Sequence, residues 1–139
     1  MKIKNILICD DIRHEMGGRV SAMGIIGDTI NITVPENAPQ EIQIPLAAVV
    51  TIEKIGNHKN IAMIMEISSG EKRCNPLEIQ IELKGAGTLF HIPFPKFPVE
   101  VAESTDFCFE VTVLDKNKPL VKQKTSLHVN LNRLAGHQK

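Results

Sequence analysis

The sequence predicts an all-β chain, a two-layer antiparallel β-sandwich with at most one short helical turn. Three observations carry that expectation. Apolar and polar residues alternate at period two, as with Ile30, Ile32 and Val34 against Thr29, Asn31 and Thr33, the pattern of strands with one face in a core. The chain is rich in Ile, Val and Thr, whose β-branched side chains suit a pleated, half-buried surface. Clusters of Gly, Asn, Asp and Ser separate the alternating runs about every ten residues, as in a sandwich or barrel. No segment sustains a helical period over several turns.

The first strand is expected over 3–9, where Ile3, Ile6, Leu7 and Ile8 precede Asp10 and Asp11. Asp10 is placed to cap a single helical turn that runs to Met16 and stops at Gly17. Gly17 and Gly18 then supply the positive φ of a hairpin into a strand over 19–26, with a bulge at Gly24. A third strand covers 29–34. The polar loop 35–41 crosses between sheets to a strand over 46–55. In the strand over 60–68, Met63 and Met65 flank Ile64, so both faces are covered and the strand is central. The next, over 77–84, sets Leu77, Ile79, Ile81 and Leu83 against Glu78, Gln80, Glu82 and Lys84.

Two strands, 88–94 and 98–102, flank Pro93, Pro95 and Pro98; proline cannot donate to a ladder, so this stretch lies at an edge or leaves the sheet. All five phenylalanines (Phe90, Phe94, Phe97, Phe107 and Phe109) fall close by and are expected to fill one end of the core. Strands over 107–114 and 120–130 close the domain, which spans 1–132, with a flexible tail over 133–139. At 139 residues the chain has the length of one domain and enough core to stand without staples.

Lys+Arg and Asp+Glu both number 16, and a chain without net charge lacks the footprint of a dedicated nucleic-acid binder. No apolar run reaches the length that spans a bilayer. The N-terminal patch ends at Asp10 and Asp11, short of a signal peptide's apolar region. The reading is therefore a cytoplasmic protein whose Cys9, Cys74 and Cys108 stay reduced. None of these forms a CxxC pair, so a zinc knuckle or thioredoxin-type site has no support; no metal is assigned and no cofactor is expected.

Residues 8–26, Ile-Cys-Asp-Asp-Ile-Arg-His-Glu-Met-Gly-Gly-Arg-Val-Ser-Ala-Met-Gly-Ile-Ile, resemble the opening of a group of small uncharacterised bacterial proteins. Those begin with a strand, an acidic residue, a Glu, a glycine turn and a second strand closing on Gly. The stretch 99–129, ending in Leu127, His128 and Val129, is similar to that group's closing hairpin. The resemblance implies an immunoglobulin-like β-sandwich of unknown function and brings no catalytic residues. Cys9 stands where the group has Ala or a similar small residue.

The densest polar group is Asp10, Asp11, Arg13, His14 and Glu15. Carboxylates beside a histidine suit a ligand or divalent cation, or general acid–base work; a solvated connection explains the same residues, with Asp10 as a cap and Arg13 paired to an acid. Ser21, Ser68, Ser69, Ser104 and Ser126 lack a nucleophile elbow. A grouping of Cys108, His91 and His128 on adjacent strands is geometrically conceivable, but the default reading is an inert thiol at Cys108 and structural histidines at His91 and His128. Over 116–139, Lys116, Lys118, Lys122, Lys124, Arg133 and Lys139 meet no acid; this basic stretch reads as a dock for an acidic partner or RNA, or as an edge strand guarded by Lys122 and Lys124. With no Tyr or Trp to stack on bases, RNA is the weaker reading.

The function expected on these grounds is a non-enzymatic protein-interaction or structural module, meeting a protein partner or a second copy of itself. The alternative is a small-ligand or metal-binding domain that uses loops at one end of the sandwich: 10–15, joined by Asn57 and His58 or by 35–41.

Overall fold

A computed structural model describes residues 1–16 and 19–134. Ten strands run in order: β1 (Lys2–His14), β2 (Val20–Ile25), β3 (Thr29–Val34), β4 (Ile42–Glu53), β5 (Asn60–Ser69), β6 (Lys72–Arg73), β7 (Leu77–Glu82), β8 (Leu89–Val101), β9 (Thr105–Asp115) and β10 (Lys118–Arg133). They form a four-stranded sheet, β2-β1-β4-β8, and a six-stranded sheet, β3-β10-β9-β5-β6, in which β7 also pairs with β5. One continuous core joins the inner faces of both sheets: Ile6, Ile8, Val50 and Phe94 from the first, Met63, Met65, Phe109 and Val111 from the second. The expected two-layer β-sandwich is what forms. Each large side chain fully buried there contributes about 1.5–3 kcal/mol.

Period-two patterning places the inward residues as expected. In β9, Phe107, Phe109, Val111 and Val113 are buried while Cys108 and Glu110 alternate outward. The ring of Phe109 lies 6.3 Å from Phe97 and 6.4 Å from Phe107, centroid to centroid, so three of the five phenylalanines form the expected aromatic cluster. Strand β5 is interior, with β9 on one side and β6 and β7 on the other. The loop 35–41 does cross between sheets, since β3 and β4 belong to different ones.

Four expectations are corrected. The segment from Asp10 to His14 continues strand β1 rather than turning as a helix, because β2 folds back on it and supplies cross-strand partners from Cys9↔Ile25 to His14↔Val20. The two strands expected around the prolines are one, β8. It stays continuous by lying at a sheet edge and absorbing a register shift opposite Leu46 and Ala48. The bulge expected at Gly24 does not form, since Ile25 with Cys9 and Met23 with Asp11 keep one register. One ladder is parallel, β3 on β10, because the chain leaves the first sheet after β2 and enters the second at its far edge.

The expected hairpin glycines Gly17 and Gly18 lie outside the described residues, as does the expected tail from Ala135 onward. Arg133 and Leu134 are ordered parts of the sandwich: the Arg133 guanidinium donates to the carbonyls of Ala38, Pro39 and Gln40, and the Leu134 N–H donates to Val34.

Candidate functional site

Strand alternation separates the sequence-nominated residues. Ile6 and Ile8 point into the core, so Leu7, Cys9, Asp11 and Arg13 take the outer face of the four-stranded sheet, whereas Asp10 and His14 follow the inner register. Asp11 accepts a hydrogen bond from the Ile12 N–H at 2.8 Å and lies 3.8 Å from the Lys96 ammonium. Glu15 accepts from the Ser21 hydroxyl at 2.9 Å, and its N–H donates to Arg19. Asp10 lies across Gly24, whose φ of +64° and lack of a Cβ let the carboxylate pass. Asp11 and His14 share the rim of a depression of about 340 Å³ with Lys96, Pro93 and Pro95; Asp10, Arg13 and Glu15 do not line it. Among the described residues no three His, Cys, Asp or Glu side chains gather in a metal-binding group.

The conceivable grouping of Cys108, His91 and His128 does not assemble. His91 lies on β8 and bonds Thr51 at 2.8 Å, on the outer face of the four-stranded sheet. Cys108 lies on β9 of the other sheet, opposite Ser68 and Ser126. Cys9 is buried and Cys74 is exposed. Burial pushes the Cys9 thiol pKa up, the reverse of what a reactive thiolate needs. His128 sits between two acceptors, with Asp106 Oδ1 2.6 Å from Nδ1 and Asn130 Oδ1 2.8 Å from Nε2. The Asp106 carboxylate first, then the Asn130 amide, raise its pKa. Asn130 in turn donates to Asn31, tying the parallel strand β3 to β10. His58 pairs with Asp115 at 2.6 Å beside a polar cleft at one end of the sandwich.

The sheet edges differ in how they are closed. An open edge presents unpaired N–H and C=O groups, and charges or prolines blunt it. Strand β8 carries Pro93, Pro95, Lys96 and Pro98; β7 carries Glu78, Gln80 and Glu82; β6 is Lys72 and Arg73. The stretch of β10 that extends beyond β3 carries Lys118, Pro119, Lys122 and Lys124, so the edge reading of that basic segment fits the topology. Strand β3 lacks charges, but its outward residues are Thr29, Asn31 and Thr33, and Asp28 and Pro35 bracket it.

Strand β2 is the exception. Val20–Ile25 holds no charge and no proline, and it ends the four-stranded sheet. Met23 and Ile25 stand opposite Asp11 and Cys9, hence on the outer face, and are 40% and 64% exposed. Beyond them that face continues through half-buried Leu7, buried Ala47 and Val49, and Pro93. The positive φ of Gly24 leaves Met23 and Ile25 in phase, with the pairing on either side unshifted. The sequence contained this signal as an uncharged strand; it did not contain the fact that the strand is terminal in its sheet.

No protein-family model matches the chain, and no curated protein matches it. Among solved structures, that of the N-terminal domain of PorA is similar at 14% identity, covering 96% of this chain and 100% of that one, with a TM-score of 0.28.

Proposed function

We propose that this chain is a non-enzymatic protein-interaction module that binds by strand addition at the β2 edge, a second copy of itself being the partner. Support comes from one contrast: among the described strands, β2 alone combines an edge free of charge and proline with large apolar side chains turned to solvent. Main-chain hydrogen bonds to an added strand would supply affinity, and the alternate side chains Met23 and Ile25 would supply specificity. Two copies related by a two-fold axis would pair β2 with β2, each offering the same patch to the other. The same reading takes the sandwich as immunoglobulin-like and its setting as cytoplasmic, with the thiols reduced. Sedimentation equilibrium tests it. The expected result is a concentration-dependent dimer that Ile25→Lys converts to monomer. A wild-type chain that stays monomeric at every concentration, with β2 amides exchanging as fast as an open strand, would overturn it.

A further inference from the structure

The opposite side of the sandwich carries a second feature, independent of β2. Strand β8 edges the first sheet, and β5 of the second sheet is covered beyond β9 only by the short pieces β6 and β7. The link between those pieces is tied back by a hydrogen bond from the Cys74 N–H to the Ile67 carbonyl. The seam between the sheets is therefore open there, as a cleft of about 440 Å³. That volume lies in the range of small-molecule sites. Its floor is apolar: Ile67, Leu77 and the edges of Phe97 and Phe107, two members of the core aromatic cluster.

The rim decides the kind of ligand. Lys72 and Glu100 both line it, and Lys72 is held by Glu41 at 3.1 Å. Arg73 also lines the mouth. Within the rim Lys72 and Arg73 face Glu100, and Glu41, which does not itself line the cleft, holds Lys72, so a ligand with net charge finds no one-sided attraction. A dipolar head finds a partner for each end.

We infer that this cleft binds a small amphipathic molecule whose apolar body, the size of a fused ring pair, sits on Phe97 and Phe107. Its head is zwitterionic and bridges the Lys72 and Glu100 sides of the rim. The chain contains no Trp and no Tyr, so the fluorescence of an indole probe is seen against a dark protein. Three probes share the ring and differ in head: L-tryptophan (zwitterion), indole-3-acetate (anion) and indole itself.

The expected result is a saturable blue shift of L-tryptophan emission on adding protein, with binding at least several-fold weaker for indole-3-acetate and for indole. Cys74→Phe, a change at an exposed position that fills the mouth, abolishes the shift while the melting temperature holds. Ile25→Lys, at the far edge, leaves it intact, which separates this cleft from the β2 reading. Absence of a shift with L-tryptophan overturns the inference. Equal or tighter binding of indole-3-acetate or indole overturns the zwitterionic head, and binding that survives Cys74→Phe overturns the location.

Discussion

Replacing Ile25 by Lys isolates the β2 edge from the rest of the fold. In the isolated chain Ile25 is 64% exposed, so the substitution removes little that holds the sandwich together, and surface changes of this kind stay within about 0.5 kcal/mol. In a strand-paired dimer the same side chain is covered. Full burial of an isoleucine is worth about 1.5–3 kcal/mol, and the exposed two-thirds of it comes to about 1–2 kcal/mol. A two-fold interface counts it twice, giving about 2–4 kcal/mol, or roughly 30- to 700-fold in dissociation constant. The added ammonium, covered without a partner in the interface, adds to the loss. Sedimentation equilibrium measures the association and urea denaturation the stability, so the two are read on one sample. A dimer weakened less than about fivefold (under 1 kcal/mol), or a urea midpoint that falls with the dimer, would refute the assignment of Ile25 to an interface.

Three further outcomes test the fold itself. Phe109→Ala empties the centre of the aromatic cluster, since Phe109 is fully buried between Phe97 and Phe107; it should cost about 3–5 kcal/mol in urea unfolding, and a loss below about 1 kcal/mol would place the core elsewhere. Gly24→Ala forces a side chain into positive φ and against the Asp10 carboxylate, for a loss above about 1 kcal/mol; adding Asp10→Ala should recover only the steric part, and an unchanged midpoint in the single variant would contradict the geometry. For His128, whose folded pKa lies above its unfolded value near 6.5 because of Asp106 and then Asn130, the stabilisation is complete below the unfolded value. It fades as pH rises through the raised one. NMR titration of the ring should show the upward shift, and His128→Ala should flatten that part of the stability–pH curve; a ring titrating at or below its ordinary value would refute the two-acceptor arrangement.

Alternation along single strands was enough to determine the fold class, the inward residues of β7 and β9, and the bounds of β3, because a period of two is a local property of the chain. Asp10 to His14 carries no such period-two signal, so its adjacent charges read as a cluster although the strand turns neighbours to opposite faces. At β8 the prolines left two readings, an edge or a departure from the sheet; tertiary structure took the edge, where missing N–H donors cost little, and kept as one strand what the sequence divided in two. Which strand ends a sheet depends on pairings between residues far apart, such as Thr29 with His128 across the parallel ladder. The bare edge of β2 and the open seam beside Phe97 and Phe107 are consequences of that long-range order. No run of residues encodes them singly, because an edge or a cleft is defined by the neighbour that is missing.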